Sequence, residues 1–150
     1  MEATLTLANP AQTDLLIGLM QEFYVHEHLP FDERVARRAL DQILRNSAFG
    51  MVYLINLADA VIGYVVLTFG FSLEFHGRDA IVDELYVREN YRGRGIGKAS
   101  LRFIEGICLE QGIKALHLEV DHANTGAQAV YRKAGFRDHD RYLLTKWLEQ

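Results

Sequence analysis

One stretch decides the fold of this chain: Asn90-Tyr91-Arg92-Gly93-Arg94-Gly95-Ile96-Gly97-Lys98. It lies between a run of strand-forming residues and a run with helical spacing. The three alternating glycines let the backbone turn tightly and point several N–H groups at one place. The helix that follows adds unpaired N–H groups and the positive end of its dipole at the same place. Such a loop binds phosphate, so the pattern indicates a site for the pyrophosphate of a nucleotide-like ligand.

Basic residues crowd this loop. Cations at a helix N-terminus oppose the helix dipole, at about 0.3–1 kcal/mol each when exposed, and an anionic ligand would reverse that cost. The loop is not a P-loop, because Lys98 is followed by Ala99, and its glycine spacing is not GxGxxG. A surface turn with solvated arginines is the alternative interpretation. The cations are Arg88, Arg92, Arg94, Lys98 and Arg102.

The composition limits the class of protein. A chain of 150 residues with 49% apolar and 24% charged residues fits one globular domain, residues 1–150. The net charge of −4 argues against nucleic-acid binding, and no apolar run reaches the roughly 18 residues of a membrane span. The first residues lack the features of a signal peptide. A single cysteine, Cys108, excludes an internal disulfide, and we expect a cytoplasmic protein.

Hydrophobic periodicity predicts the order of helices and strands as βααβββαβαβ, a mixed sheet of the α/β or α+β class. Asn9 and Pro10 predict the start of the first helix, and Asp32 predicts the cap of the second. Gly112 predicts the end of the helix after the glycine loop. Strands are predicted at residues 4–7, 51–56, 61–73, 80–87, 116–120 and 141–148, and a short helix at 125–134.

The motifs carry a family resemblance. Arg92-x-x-Gly95-x-Gly97 resembles the [RQ]-x-x-G-x-[GA] motif of GNAT acetyltransferases, which cradles the pyrophosphate of acetyl-CoA. Residues 83–87 resemble the fourth strand of that family. The resemblance covers nearly the whole chain and is most specific over residues 83–136. Downstream, an N-x-x-A-x-x-x-Y-x-K-x-G-F segment is matched by Asn124, Ala127, Tyr131, Lys133, Gly135 and Phe136.

The resemblance implies a function. It implies an N-acetyltransferase that moves an acetyl group from acetyl-CoA to a primary amine, by direct attack and without an acyl-enzyme. The alternatives are a protein or peptide N-acetyltransferase and a non-catalytic module that binds acyl-CoA. A homodimer is an expectation at the level of the family.

The resemblance also assigns residues to the cosubstrate, with the strand acting through its backbone N–H groups. Leu85 and Val87 could equally be core residues, Asn124 a helix cap, and Lys133 a solvated helix lysine. The assigned residues are Leu85, Tyr86, Val87, Arg92, Gly93, Arg94, Gly95, Ile96, Gly97, Lys98, Asn124 and Lys133.

Two residues are expected to move protons. Tyr131 matches the tyrosine of the family, and its ordinary pKa of about 10 keeps it protonated at neutral pH, so it can donate to the departing thiolate. A packed core tyrosine is the alternative. An amine arrives mostly as ammonium, so a base is required, and Glu84 on the predicted strand is the first choice. Asp121 and His122 are the other candidates.

The resemblance places the acceptor site between the first two helices and the loop before the fourth strand. Aromatic rings and carboxylates in these segments suit an alkylammonium group, as in polyamine acetyltransferases. An apolar lid with incidental acids is the alternative. His26 and His28 would point to different sides of a helix, so no metal is expected. The candidate substrate residues are Tyr24, His26, Glu27, Phe31, Phe71, Glu74 and Asp121.

Overall fold

The computed structural model describes residues 2–149, which form five strands and four α-helices. Two single 3₁₀ turns, Pro10–Gln12 and Glu89–Tyr91, precede α1 and α3. In chain order the elements are β1 (Thr4–Leu7), α1 (Thr13–His26), α2 (Glu33–Arg45), β2 (Gly50–Leu57), β3 (Ala60–Ser72), β4 (Gly77–Val87), α3 (Ile96–Glu110), β5 (Ala115–Leu118) and α4 (Thr125–Lys133).

Local capping chemistry sets the helix starts. The Asn9 side chain accepts a hydrogen bond from the Ala11 N–H, and Gln12 returns one to the Asn9 N–H, which makes a capping box. Asp32 accepts from the N–H groups of Arg34 and Val35 at the start of α2. Both predicted caps are confirmed. They could be predicted from the sequence because a helix cap depends only on residues within three positions.

The predicted order is confirmed as far as α4, and the closing strand is wrong. The structure assigns no strand to residues 135–149, and large apolar side chains there are exposed, Tyr142 to 91% and Leu148 to 92%. The apolar and aromatic residues of this segment favour a strand, but a strand forms only where a neighbour accepts its backbone hydrogen bonds, and no sheet register includes this segment. The strand predicted at 116–120 likewise ends at Leu118.

The five strands form one sheet in the order β1-β2-β3-β4-β5. The first four are antiparallel neighbours, and β5 runs parallel to β4 after the α3 crossover. β5 pairs with β4 only from Asp79 to Val82. The remainder of β4, up to Val87, is paired through β3 alone among these five strands.

The sheet buries a different set of residues on each face. One face packs against α1 and α2 through Leu16, Leu19 and Leu40. The other packs against Ile96 at the start of α3 through Ile55 and Ile62. Tyr64, on the α1 side, is fully buried. The α1 side of the sheet includes the end of β4, where Tyr86 packs in the core and Glu84 is half-buried.

The chain divides into two compact units, one up to Leu118 and the other from Glu119. In the second unit, α4 is capped by Asn124, and Arg132 forms an ion pair with Asp138 at 2.7 Å. Among residues 2–149, no helix is both long enough and apolar enough to cross a membrane.

Candidate active site

A β-bulge divides the side chains of β4 between the two faces of the sheet. Val66 of β3 pairs with Glu84, and the next residue, Leu67, pairs with Val82, so Asp83 is an extra residue in β4. Bulges often redirect side chains next to functional sites. After the bulge, Tyr86 packs in the α1 core on the same face as Glu84, while Leu85 belongs to the Ile96 side.

Glu84 is held by two tyrosines that come from different elements. The Tyr24 hydroxyl of α1 donates a hydrogen bond to Oε2, and the Tyr64 hydroxyl of β3 donates one to Oε1 at 2.7 Å. Tyr64 is fully buried, whereas Tyr24 is half-buried. We call these three residues the carboxylate cluster. Each carboxylate oxygen has one donor, which fixes the orientation of the group.

Burial raises the pKa of Glu84 above its ordinary value. The two tyrosine hydrogen bonds lower that pKa and so act against the effect of burial, while the charge of Asp83 raises it further. Burial also raises the pKa of Tyr24 and of Tyr64, and the adjacent carboxylate adds to both shifts. Both hydroxyls therefore keep their protons and donate. A carboxylate with a raised pKa is suited to accept a proton near neutral pH.

Aromatic rings surround the cluster on the α1 side. The Phe31 ring lies 5.2 Å from that of Tyr24, edge to face. Phe23 contacts the rings of Tyr24, Tyr64 and Tyr86 at 5.7, 6.3 and 5.7 Å. Such rings offer both apolar surface and the negative faces that attract a cation.

Two arginines of the strand end and glycine loop reach back to α1. Arg88 forms a bidentate ion pair with Glu22, at 3.1 and 2.9 Å, and Glu22 also accepts from the Tyr86 hydroxyl. Arg92 lies within 3.3 Å of the His26 ring nitrogen, and its guanidinium sits 5.5 Å above the Tyr86 ring. Arg88 therefore has an acidic partner 66 positions away in sequence, which loop composition alone does not show.

The opposite face of β4 borders a pocket of about 240 Å³ at the glycine loop. We call it the loop pocket. Gly93 and Gly95 have φ angles of 76° and 78°, the left-handed region that favours glycine. Gly97 has no such angle, and among residues 2–149 nothing outside its own helix and immediate neighbours lies within 4 Å of where its Cβ would be. The pocket is lined by Leu85, Val87, Tyr91, Arg92, Gly93, Gly95, Ile96 and Gly97.

Backbone groups of β4 also point toward this pocket. The Arg88 N–H donates to Ile62 of β3 at 2.8 Å, so by antiparallel alternation the N–H groups of Leu85 and Val87 point away from β3. β5 stops pairing at Val82 and does not cover that edge. Arg92 Nε donates a hydrogen bond to the Val87 carbonyl at 2.7 Å, which links the loop to the end of the strand. The pocket thus combines open space at Gly97 with N–H groups that are available to a ligand carrying hydrogen-bond acceptors.

Comparison with models of known protein families identifies the family of this chain. The acetyltransferase (GNAT) family model matches residues 14–136. This chain belongs to the GNAT acetyltransferase family. The matched range contains both the carboxylate cluster and the loop pocket.

Relatives of this GNAT chain agree with that assignment. Thialysine N-epsilon-acetyltransferase of Bos taurus is 32% identical over 78 residues, which are 52% of this chain and 45% of that protein. The chain thus spans about half the length of the curated relatives it matches. An integron cassette protein from the mobile metagenome of Cole Harbour Salt Marsh has a TM-score of 0.85 and 34% identity, over 97% of this chain and 91% of that one.

A third similarity is one of fold. The crystal structure of a predicted acetyltransferase with acetyl-CoA from Clostridium acetobutylicum has a TM-score of 0.82 at 19% identity, over 99% of this chain and 98% of that one. The two chains therefore share their fold. Family membership and the names of the relatives support an N-acetyltransferase.

The structure brings only some of the predicted acceptor residues of this GNAT domain together. Tyr24 and Phe31 lie at Glu84, and His26 lies at Arg92. Glu27 is exposed at the end of α1. Phe71, which is 71% exposed, and Glu74 belong to the far end of the β3–β4 hairpin. Phe71 pairs with Arg78, about 20 Å along the strand from Glu84 at 3.3 Å per residue.

Four predicted residues belong to the second compact unit. Asn124 is the N-cap of α4, and its side chain accepts from the Ala127 N–H at 3.1 Å. Tyr131 lies on α4 with its ring 6.1 Å from that of Phe136. Lys133 is exposed in the last turn, and Asp121 is exposed and accepts from the Ala123 N–H. The roles given to them by the resemblance remain predictions.

Sequence reasoning missed Tyr64 and Glu22. Tyr64 occupies an inward position of β3, where an aromatic residue normally indicates core packing. Its hydroxyl reaches Glu84 because Val66 is paired with Glu84, which puts Tyr64 diagonally across from the carboxylate. The hairpin register was the signal that could have found it.

Proposed function

We propose that this GNAT chain is an acetyl-CoA-dependent N-acetyltransferase that acts on a primary alkylamine, with Glu84 as the general base. The observation that carries the proposal is the position of Glu84. Two tyrosine hydroxyls hold it on one face of β4, and the opposite face of the same strand borders the loop pocket. The proposed proton acceptor and the proposed acyl-thioester site thus lie on the same strand, on opposite faces.

The loop pocket is the proposed site of acetyl-CoA, which supplies the acetyl group as an activated thioester. The backbone N–H groups at Gly95 and Gly97 and the start of α3 would hold the pyrophosphate, aided by the exposed cation of Lys98. The N–H groups of Leu85 and Val87 would hold the pantetheine arm and polarise the acyl carbonyl. Main-chain donors of this type often supply several kcal/mol to acyl transfer.

Glu84 would remove the proton that makes an ammonium group unreactive. Its raised pKa lies closer to neutrality than that of an exposed glutamate, so the proton transfer is less uphill. The aromatic rings of Phe23, Tyr24 and Phe31 line the same face and suit an alkylammonium chain. The name of the bovine relative, a thialysine N-epsilon-acetyltransferase, supports an amine at the end of a flexible chain.

Tyr131 is the proposed general acid, on the strength of the family motif. A tyrosine is protonated at neutral pH and can donate to the departing thiolate of coenzyme A. Asn124 and Lys133 are proposed to contact the cosubstrate on the same grounds. A cytoplasmic location, where acetyl-CoA is supplied, and a homodimer complete the proposal.

The test measures thiol release from acetyl-CoA with a panel of polyamines, lysine analogues, aminoglycosides and short peptides. Tyr131→Phe is expected to lower the rate by about 10²–10⁴-fold with the best amine. Tyr142→Phe is the matched control, because Tyr142 is also in the second unit and is 91% exposed. Its rate should equal that of the wild type.

Each outcome decides a part of the proposal. Turnover of an amine class that depends on Tyr131 supports both the N-acetyltransferase activity and the role of Tyr131 as general acid. Binding of acetyl-CoA without turnover of any amine would favour a non-catalytic acyl-CoA module. A failure of acetyl-CoA to raise the unfolding temperature would contradict the assignment of the loop pocket.

A further inference from the structure

The two tyrosines of the carboxylate cluster differ in a way that suggests different roles. Tyr64 is fully buried in the sheet core, whereas Tyr24 is half-buried in the last turn of α1. The segment that follows Tyr24, residues 27–30, is exposed, and His28 in it has a positive φ of 56°. Tyr24 is therefore the more accessible of the two donors to Glu84, and an exposed segment follows it in the chain.

An ammonium acceptor would compete with the groups that already donate to Glu84. Tyr24 donates to Oε2 and Tyr64 to Oε1. Each carboxylate oxygen can accept more than one hydrogen bond, so the ammonium group can bind beside a tyrosine hydroxyl and then exchange with it. The Tyr64 hydroxyl is enclosed by core residues and has no solvent to which it could turn. Tyr24 is only half-buried, so its side chain has more freedom to move than that of Tyr64.

We propose that Tyr24 is an exchangeable donor: the ammonium group of the acceptor displaces its hydroxyl from Oε2 of Glu84, while Tyr64 keeps the carboxylate in place. This rests on the proposed function and adds how the acceptor is recognised. After displacement, one proton moves from the ammonium nitrogen to Oε2. The products of that step are a neutral amine and a neutral carboxylic acid, and both tyrosines keep their protons.

The surroundings agree with this division of roles. The groups that act on the charge of Glu84 are Tyr24 from α1, Tyr64 from β3 and Asp83 from β4 itself. Asp83 is exposed and adds negative charge near the cluster, which favours an incoming cation. The rings of Phe23 and Phe31 contact Tyr24 and offer a surface for the alkyl chain. The ligand class is thus a primary ammonium on an unbranched chain.

The experiment measures binding of n-butylammonium chloride by NMR, without acetyl-CoA, at pH 9, where the amine is still largely protonated. Tyr24→Phe is expected to bind the probe about tenfold more tightly, because no hydrogen bond to a charged group has to be broken. Tyr64→Phe is expected to bind it no more tightly than the wild type. Tyr53→Phe, a buried tyrosine that packs on Phe103 of α3, is the control and should leave binding unchanged.

A second measurement uses the wild-type protein and depends on no variant folding. Saturation with n-butylammonium should shift the ¹³Cζ resonance of Tyr24 and leave that of Tyr64 in place. Equal shifts of both, no shift of Tyr24, weaker binding by Tyr24→Phe, or no binding at all would each overturn the proposal. Thiol release is assayed separately, so an enzyme that turns over amines without these signatures would retain its proposed function and lose only this inference.

Discussion

The two faces of the end of β4 are built by different means. On the Leu85 side, the loop pocket is made from backbone: two glycines with positive φ, the start of α3, and strand N–H groups within 15 residues of one another in sequence. On the Glu84 side, the carboxylate cluster is made from side chains that come from residues 24, 64 and 84. A site made of contiguous backbone can be recognised in the sequence as a motif. A site made of side chains that are distant in sequence depends on the packing of the fold.

The largest expected effect separates chemistry from cosubstrate binding. Glu84→Gln should lower kcat/KM by about 10²–10⁴-fold, because the amide cannot accept the proton of the ammonium group. The affinity for coenzyme A should stay within about twofold of the wild type, since the loop pocket is on the other face. Steady-state kinetics and calorimetric titration check the two halves. A parallel loss of coenzyme A binding would break the division between the faces.

The reverse experiment targets the loop pocket. Gly97→Asp should weaken coenzyme A binding by about 10²-fold, because like charges meeting in a binding site cost several kcal/mol. The fold should persist, since the new side chain has open space and an acid in the first helical turn is favourable. Gly106→Asp, at another exposed glycine of α3 with open space, is the matched control. Equal weakening by both variants would refute a local site at Gly97.

A third prediction uses pH and no substrate. Burial raises the folded-state pKa of Glu84 above its unfolded value, so folding favours the protonated form. The stability that Glu84 contributes relative to Glu84→Gln is therefore fully present below the unfolded pKa of about 4.3 and is lost as the pH rises through the folded pKa. Urea unfolding between pH 4 and pH 8 measures it, with exposed Glu105→Gln as the control. A difference that does not change with pH would contradict the burial of this charge.

The smallest effect concerns the scaffold between the faces. Glu22→Gln removes the charge that pairs with Arg88, where both side chains are about 40% exposed. Partly exposed ion pairs contribute about 0–1 kcal/mol, so the free energy of unfolding should fall by less than about 1 kcal/mol. Chemical denaturation measures the change. A loss of several kcal/mol would mean that this pair, rather than the core of Leu16 and Leu54, attaches α1 to the strand end.

Sequence reasoning predicted the fold nearly to its end. The caps at Asn9 and Asp32 and the glycine loop all depend on residues a few positions apart, so each appears as a local pattern. The closing strand at residues 141–148 failed for the opposite reason. Its apolar and aromatic residues favour a strand, but pairing with a neighbouring strand is a property of the whole sheet.

Local sequence alone predicted the glycine loop as the site of a phosphate-bearing ligand, because positive-φ glycines and an uncapped helix start are features of consecutive backbone groups. It also singled out Glu84, through its place on the strand that precedes the loop. Only the tertiary structure decided what Glu84 touches. The bulge at Asp83 sets the face on which the carboxylate lies, and the packing of α1 on the sheet brings Tyr24 to it across 60 residues. Burial by these distant elements raises the pKa of Glu84, and no local pattern records it.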